Sequence, residues 1–502
     1  MSQTRPDIEA HPKHRRIGNL TQHKWDVVIL GGGPTGQTAA VRIAGAGLSV
    51  LLVERELAGG ECQNWACVPS KALLRPLEIA SDARAVGGIQ EALATKHGKG
   101  KSDVIDLQGL WGFRDRATFN WNDMGNSEML EQLGVVVVHG SGSLQSAQKV
   151  VIKDWYSDDS VDIEAKSVVI ATGSESKIPP VNGLTDAKFW TPREAVSARE
   201  VPPHLVIFGA GPVGSEFATI YSQLGSRVTL VTTGAQILPG MVSRAAKTVH
   251  DSLIKMGVEI RVSAHATEVQ RREGKVIIGF SDGSKLEGTE MLIATGRKTR
   301  TTGIGLAAFG IQEAVPVAVD QHMRAKDIAD GWLYAIGDTN GIGNTTHMGM
   351  YEATICAQHI IGKSGKTIVP GTNTALPQLR DTIPQTCFTE PQVSWVGQSL
   401  AQATEKGIEA KEISVETGGP GTHSYLYAEN YTGWAQWVIE VKTGKLLGAV
   451  FVGKGVANLL HASTVAIVGG MTWQQMLHAV PSFPTLSEAY NLLVQQSLST
   501  EW

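Results

Sequence analysis

The sequence is poor in cysteine: its 502 residues include four. So few cysteines in so long a chain exclude a structural disulfide framework and favour a reducing, cytoplasmic location. The sequence also lacks an excess of basic charge: the formal net charge is -4, which gives no basic field for nucleic acid. We find no run of about 18 apolar residues and expect no membrane span. The charged N-terminal segment lacks the apolar core of a signal peptide.

Two of the four cysteines lie close together, in the stretch 59–71. Pro69 is typical of the first turn of a helix, so we expect Cys67 at a helix N-terminus, where a thiolate is stabilised. Cys62 and Cys67 could therefore form a redox pair, or they could be half of a zinc site or small buried side chains. Cys356 and Cys387 stand alone in the sequence, and we expect no metal site.

A first glycine-rich motif follows the apolar strand predicted over residues 25–30. Its glycines are Gly31, Gly33 and Gly36, and the next predicted strand ends at Glu54. Strand, GxGxxG, helix, strand and acid in this order form a dinucleotide fingerprint. The glycines allow the helix N-terminus to approach a pyrophosphate, and the acid can accept a hydrogen bond from a ribose hydroxyl.

The same pattern recurs after a strand predicted over residues 204–208, with Gly209, Gly211 and Gly214. Both halves later contain a strand that ends in Ala-Thr-Gly, so the repeat predicts two dinucleotide-binding domains and two nucleotide cofactors. Thr232 occupies the position in the second half that corresponds to Glu54. Threonine favours neither NAD nor NADP, since an acid or a base would be needed to discriminate them.

The last part of the chain has a different pattern. A strand ends at Asp338, and from about residue 371 alternating strands and apolar helices follow without a glycine fingerprint. The predicted fold class is α/β, with two Rossmann-like dinucleotide-binding domains and a C-terminal α+β domain.

These motifs, in this order, resemble the class I pyridine nucleotide-disulfide oxidoreductases, a family that includes glutathione reductase, lipoamide dehydrogenase and mercuric reductase. The resemblance covers nearly the whole chain from about Asp26. It rests on both GxGxxG motifs, the cysteine stretch ending in Pro-Ser-Lys, both Ala-Thr-Gly segments, Gly337-Asp338, Thr389-Glu390-Pro391 and Pro484-Thr485-Leu486-Ser487-Glu488.

The resemblance implies a homodimer that contains FAD and either NAD or NADP. The charged composition of the N-terminal segment predicts a polar tail over 1–23. The resemblance implies an FAD-binding domain over 24–180 and 301–370, an NAD(P)-binding domain over 181–300 and an interface domain over 371–502. Glu54 would bind the adenosine ribose and Asp338 the ribityl chain. The implied cofactor-binding residues are Gly31, Gly33, Gly36, Glu54, Gly142, Thr172, Gly173, Asp338, His347, Gly209, Gly211, Gly214 and Gly296.

The resemblance also implies the chemistry. NAD(P)H would reduce the flavin, which would pass two electrons to the Cys62–Cys67 disulfide. Cys67 would be the sulfur against the flavin, and Cys62 would exchange with the substrate. Lys71 and Glu216 match the lysine and glutamate that the family pairs beside the flavin N5.

The sequence departs from the family at one catalytic position. Ordinary members place a histidine, supplied by the partner subunit, just before the Pro-Thr and orient it with a glutamate five residues later. This sequence has Phe483 there and retains Glu488. A phenyl ring cannot transfer a proton, and His461 and His478 are weak candidates for a replacement.

We therefore expect a disulfide oxidoreductase that acts on a small-molecule acceptor other than glutathione disulfide, or on a thiol or disulfide substrate. The terminal sequence, without a cysteine pair, argues against mercury. One alternative is cleavage of a carbon–sulfur bond through a carbanion that Phe483 shields, as in 2-ketopropyl-coenzyme M oxidoreductase/carboxylase. The other is an electron-relay subunit of a larger complex, like lipoamide dehydrogenase.

Overall fold

The computed structural model describes residues 15–97, 104–367, 382–419 and 422–502. The described residues form two compact units. The first contains 15–70, 112–177 and 297–367, and the second contains the remainder. Most of the predicted polar tail, residues 1–14, and the predicted boundary at residue 371 lie outside the described residues. The predicted domain limits therefore stay a prediction.

The strands are bounded as follows: β1 Lys24–Leu30, β2 Val50–Glu54, β3 Val135–Ser146, β4 Lys149–Asp154, β5 Ser160–Ile170, β6 Ser174–Ser176, β7 His204–Phe208, β8 Arg227–Val231, β9 Glu259–Arg261, β10 Ala266–Arg272, β11 Lys275–Phe280, β12 Lys285–Gly288, β13 Glu290–Ile293, β14 Arg297–Thr299, β15 Leu333–Ala335, β16 Gln385–Cys387, β17 Gln392–Gly397, β18 Ala410–Glu416, β19 Trp434–Glu440 and β20 Leu446–Gly453.

The α-helices are bounded as follows: α1 Pro34–Gly45, α2 Gly60–Asn64, α3 Cys67–Ala83, α4 Ile89–His97, α5 Leu107–Ala117, α6 Met124–Gln132, α7 Pro192–Ser197, α8 Pro212–Gln223, α9 Ser243–Lys255, α10 Thr346–Lys363, α11 Leu400–Glu405, α12 Val456–Val468, α13 Trp473–Met476 and α14 Glu488–Leu498.

The first unit is built on a six-stranded sheet. Strand β1 pairs in parallel with β2 and β5. Strand β3 pairs in parallel with β2, and β15 pairs in parallel with β5. Strand β4 pairs antiparallel with β3 and β5. Alternate residues of a strand point to opposite faces. Val27 and Ile29 accordingly pack with apolar side chains of α1 and α10, whereas Val28 packs in a cluster with Ile152 and Ile163.

The end of the predicted tail is folded. Arg15 is 1% exposed and forms an ion pair with Glu131, with 2.8 Å between its Nε and the Oε1 atom. Ile17 is also buried, in the cluster that contains Val28. The polar-tail prediction is therefore wrong for these two residues, because an apolar contact and a partner charge bring them onto the sheet.

The second unit contains a parallel sheet in the order β13-β7-β8-β9 and an antiparallel sheet in the order β10-β11-β12. Leu205 and Ile207 of β7 pack with side chains of α8 and α9. Val206 and Phe208, on the opposite face, pack with Ile278 of β11. The parallel sheet with its helices matches the predicted second Rossmann-like fold.

The C-terminal part of the second unit is an antiparallel sheet in the order β16-β17-β20-β19-β18. Trp437 and Phe451 on this sheet pack with Leu460 of α12 and with Tyr490 and Leu493 of α14. This α+β arrangement confirms the change of pattern that the sequence shows after Asp338.

Candidate active site

The first glycine motif forms a tight turn after β1. Gly31 has φ of 110°, and a Cβ atom there would lie 2.3 Å from the carbonyl oxygen of Ala171. A Cβ atom at Gly36 would lie 2.0 Å from the carbonyl oxygen of Gly31. Gly33 is the N-cap of α1 and makes no side-chain capping bond. The loop therefore offers the first backbone N–H groups of α1 to an anion, as a pyrophosphate site requires.

Glu54, at the end of β2, is 8% exposed and holds this loop in place. Its Oε2 accepts a hydrogen bond from Gly32 N at 2.7 Å, and its Oε1 accepts one from Glu56 N at 2.7 Å. Burial raises the pKa of Glu54, against the two backbone hydrogen bonds that lower it. The carboxylate thus fixes the glycine loop, and its predicted contact with a ribose would use the remaining lone pairs.

Three other predicted cofactor residues of the first unit are Asp338 after β15, Thr172 after β5 and Gly142 within β3. The hydroxyl of Ser174 donates to the carboxylate of half-buried Asp338. The hydroxyl of Thr172 donates to the carbonyl oxygen of Arg300 at 2.5 Å. A Cβ atom at Gly142 would lie 2.5 Å from Leu30 Cδ2.

Gly173 and His347 are two further predicted cofactor residues of the first unit. Gly173 has φ of 71°, in the region that favours glycine. His347 is exposed, near the start of α10.

Glu352 of α10 is a buried acid that the sequence did not single out. It is 0% exposed, and its Oε2 accepts hydrogen bonds from Gly337 N at 2.6 Å and from Asn340 Nδ2 at 2.7 Å. Burial, together with the charge of Asp338, raises the pKa of Glu352 to about 7. Glu352 thus orders the turn that carries Asp338.

The second glycine motif repeats this geometry in the second unit. Gly209 has φ of 100°, and its Cβ atom would lie 2.4 Å from the carbonyl oxygen of Ala294. A Cβ atom at Gly214 would lie 1.8 Å from the carbonyl oxygen of Gly209. Gly211 is the N-cap of α8, without a side-chain capping bond, and Gly296 has φ of 117°. This loop also fits a nucleotide pyrophosphate.

The cations near the second loop have acidic partners. Thr232 follows β8, and its hydroxyl accepts a hydrogen bond from Gly234 N at 3.2 Å. The nearby ion pairs are Arg227 with Glu259, Arg244 with Glu416, and Lys247 with Asp251. All three cations are exposed at the surface.

Cys62 and Cys67 form a disulfide, with 4.7 Å between their Cα atoms. Cys62 lies on α2, and Cys67 is the first residue of α3, as the sequence predicts. Cys67 Sγ lies 3.5 Å from the hydroxyl of Thr346 at the start of α10. A hydroxyl and a helix N-terminus both stabilise a thiolate at this sulfur once the disulfide is reduced.

Trp65, between the two cysteines, packs against a second tryptophan. Its ring is stacked on Trp121 with 5.9 Å between the ring centroids, and Trp121 Nε1 donates to the carbonyl oxygen of Asn64 at 2.9 Å. The guanidinium of Arg114 lies 5.3 Å from the Trp121 ring centroid. These contacts hold the backbone that connects the two cysteines.

A charged group adjoins the same stretch. Glu61 lies 3.9 Å from guanidinium nitrogens of both Arg297 and Arg300. Arg300 is also paired with Glu175 at 3.4 Å, and Arg297 Nε donates to the Ser174 hydroxyl at 2.7 Å. The residue that precedes Cys62 is thus held by β14 and the segment after it.

In the second unit, Lys71 and Glu216 form the ion pair that the resemblance implies, with 2.6 Å between Nζ and Oε2. Glu216 Oε1 accepts a hydrogen bond from Phe388 N at 2.9 Å. Lys71 Nζ lies 4.9 Å from the centroid of the Phe388 ring. The glutamate side chain is 7% exposed and the lysine side chain 35%, so the lysine presents the accessible charge.

Glu488 holds a histidine, although Phe483 occupies the expected position. His423 Nδ1 lies 2.9 Å from Glu488 Oε2, and the His423 ring meets the Phe483 ring edge-on, with 4.5 Å between centroids. Glu488 Oε1 accepts a hydrogen bond from Thr485 N at 3.3 Å. The residue just before Pro484 is therefore not a histidine, but the fold places the imidazole of His423 beside Phe483.

No sequence motif marks His423, because it precedes a short 3-10 helix far from Glu488 along the chain. His461 and His478, the histidines that it offered as candidates, are both exposed. Within the described ranges, neither is hydrogen-bonded to Glu488, whereas His423 is. Contacts between distant segments, and not spacing, reveal the pair.

Neither a membrane helix nor a metal cluster is found among the described residues. No helix in this part of the chain is long and apolar enough to cross a membrane. No group of three or more histidine, cysteine, aspartate or glutamate side chains in it could hold a metal ion.

Two glycine-rich nucleotide loops, a disulfide at a helix N-terminus and an antiparallel C-terminal domain define a flavin-dependent disulfide oxidoreductase. The family model "Pyridine nucleotide-disulphide oxidoreductase" matches residues 25–355, and the model of its dimerisation domain matches residues 383–494. The chain belongs to this family. Its members bind FAD and use NAD(P)H, and the dimerisation domain indicates a homodimer.

The similar curated proteins carry different enzyme names. The chain is 28% identical to a mercuric reductase of Streptomyces lividans over 94% of this chain and 96% of that protein. It is 28% identical to a dihydrolipoyl dehydrogenase of Rhizobium etli over 92% of this chain and 96% of that protein.

Two solved structures share the fold. LpdA from Mycobacterium tuberculosis matches with a TM-score of 0.80 and 24% identity, and the flavoprotein disulfide reductase RclA from Escherichia coli matches with a TM-score of 0.79 and 22% identity. Each match covers 94% of this chain and 99% of the other.

Proposed function

We propose that this protein uses NAD(P)H to reduce a small disulfide acceptor, other than glutathione disulfide, through Cys62 and Cys67. The observation that carries the proposal is the Cys62–Cys67 disulfide, with Cys67 opening α3. We also propose a cytoplasmic location, where reduced nicotinamide nucleotides are available as electron donors.

Both glycine loops fit the cofactors of the family. At Gly31, Gly36, Gly209 and Gly214 a Cβ atom would lie within 2.4 Å of a backbone carbonyl oxygen, so backbone segments approach closely in each loop and leave helix N–H groups open to phosphate. The first loop would bind FAD and the second NAD(P)H. When bound, FAD links hydride donation by NAD(P)H to two-electron reduction of the disulfide.

Each side chain near the disulfide has its own role in the proposed reaction. Thr346 and the N-terminus of α3 stabilise the Cys67 thiolate, and Cys62 carries out the exchange with the acceptor. The Lys71 ammonium, held by buried Glu216, provides a fixed positive charge. We assign this charge to the flavin N5, as the resemblance implies.

The position of His423 argues against the carbon–sulfur alternative. Shielding of a carbanion requires that no proton donor lies near it, but an imidazole lies 4.5 Å from the Phe483 ring. No observation on the described residues favours the electron-relay alternative. Disulfide reduction is the function that we retain.

Anaerobic titration with NADH and, separately, with NADPH tests the proposal. The nucleotide that serves the enzyme should produce a long-wavelength band from charge transfer between the Cys67 thiolate and the flavin. The Cys62→Ser variant should lose turnover with an alkyl disulfide, while a flavin-only NAD(P)H reductase would keep its activity. If neither nucleotide produces the band, the assignment of Cys67 is wrong.

A further inference from the structure

The His423–Glu488 pair has the geometry of an oriented acid–base group. Glu488 Oε2 binds the Nδ1 side of the ring at 2.9 Å, and the carboxylate is fixed through Thr485 N. A carboxylate on one ring nitrogen sets the tautomer and directs the other nitrogen outward. Within the described ranges His423 Nε2 has no hydrogen-bond partner, and the His423 side chain is 32% exposed.

We propose that His423 is the acid–base residue for thiol exchange at Cys62 of the partner subunit, in place of the histidine that the family carries at the position of Phe483. The inference rests on the proposed function. Glu488 is the retained glutamate, and in this chain its carboxylate binds an imidazole that comes from another segment. His423 and Phe483 both lie in the matched dimerisation domain. Their rings are in contact, so the His423 imidazole lies next to the family's usual histidine position.

The exchange balances with one histidine. The Cys62 thiol gives its proton to His423 Nε2, and the thiolate attacks one sulfur of the acceptor, forming a mixed disulfide while the acceptor S–S bond breaks. The imidazolium protonates the departing thiolate. The Cys67 thiolate then attacks the Cys62 sulfur of the mixed disulfide, which restores the Cys62–Cys67 disulfide and releases the second thiolate, and this thiolate takes its proton from water. Two electrons pass from the dithiol to the acceptor, and NAD(P)H supplies their replacements.

The first test varies the leaving group. Bis(2-hydroxyethyl) disulfide releases a basic thiolate that needs a proton, whereas 5,5′-dithiobis(2-nitrobenzoate) releases an acidic one that does not. His423→Gln should lower turnover of the first by about 100-fold and change turnover of the second by less than about threefold. The control is His478→Gln, which alters an exposed histidine of the same domain and should leave both rates unchanged.

The second test needs no acceptor. The enzyme is reduced with dithiothreitol, freed of it, and alkylated with iodoacetamide across the pH range, and modification of Cys62 is followed by mass spectrometry. An imidazolium near the thiolate favours the charged form, so His423→Gln should move the midpoint of alkylation upward by about one pH unit or more. Glu488 and Tyr425 contact His423, and Tyr431 lines the same small cavity as His423 and Glu488.

A rescue variant separates a chemical role from a structural one. Adding Phe483→His to His423→Gln frees Glu488 for an imidazole at the family's usual position and should restore turnover of the alkyl disulfide. If His423→Gln leaves the pH midpoint of Cys62 alkylation and the ratio of the two turnover rates unchanged, the inference is overturned. The proposed function would still stand if the wild type shows the charge-transfer band. Absence of the band in the wild type would instead overturn the proposed function, and alkylation would still report on His423.

Discussion

Cys356 and Cys387 are kept apart from the redox chemistry by burial. Both are free thiols and 0% exposed. Loss of solvation raises the pKa of Cys387 to about 12 and also raises that of Cys356. A buried thiol that stays protonated is a poor nucleophile. Burial thus reserves thiol reactivity for Cys62 and Cys67.

Thiol counting checks this division. Native enzyme reduced with dithiothreitol should react with iodoacetamide at Cys62 and at neither Cys356 nor Cys387, and all should react after unfolding. Mass spectrometry of the alkylated peptides provides the measurement. Modification of Cys356 or Cys387 at the rate of Cys62 in folded enzyme would contradict the prediction.

Glu352 should make stability depend on pH. Its pKa rises from 4.5 to about 7 on folding, so the folded state binds the proton more tightly than the unfolded state. The free energy of unfolding therefore falls as pH rises from about 4.5 to about 7, by roughly 3 kcal/mol. Below pH 4.5 this cost is absent.

The variant Glu352→Gln removes the charge and keeps an acceptor for Gly337 N. The difference in Tm between this variant and the wild type is measured on holoenzyme by thermal unfolding. It should increase in favour of the variant by about 3 °C from pH 5 to pH 8. Glu405→Gln, at an exposed acid, serves as the control. A difference that does not change with pH would show that Glu352 does not titrate in this range.

At the scale of elements, the glycine loops are the parts that the sequence specifies most closely. The strand predicted over 204–208 coincides with β7. GxGxxG predicts close approach of backbone segments, and that approach occurs at Gly36 and Gly214. Local backbone sterics determine these loops, so spacing alone is enough to predict them.

The two loops should separate the two cofactors. Gly36→Ala places a Cβ atom 2.0 Å from the Gly31 carbonyl oxygen and should reduce FAD content after purification. Gly214→Ala should retain FAD but raise the nicotinamide concentration needed for half-maximal flavin reduction by about tenfold or more. Gly125→Ala, on α6 with open space around it, is the matched control. Equal loss of FAD in Gly36→Ala and Gly214→Ala would contradict the assignment.

At the scale of the whole molecule, the homodimer determines where His423 acts. A hybrid dimer combines one Cys62→Ser chain with one His423→Gln chain. If His423 serves Cys62 of the partner subunit, one active site of this dimer keeps both residues. If His423 serves Cys62 of its own chain, neither active site does. The hybrid dimers should recover about half of the wild-type turnover with the alkyl disulfide, although each parent dimer is nearly inactive. Activity no greater than that of the parents would show that His423 does not act across the dimer.

The sequence by itself determined the fold class, the family, the two nucleotide loops and the cysteine pair, because each depends on residues at short and fixed spacing. The tertiary structure decided which groups surround that framework. It buried Arg15 and Ile17, which composition had assigned to a polar tail, and it placed His423 against Glu488. Such contacts join segments far apart in the chain, so their partners are set by packing. Short spacing therefore predicts Cys62 and Cys67, whereas the His423–Glu488 pair exists only in the folded chain.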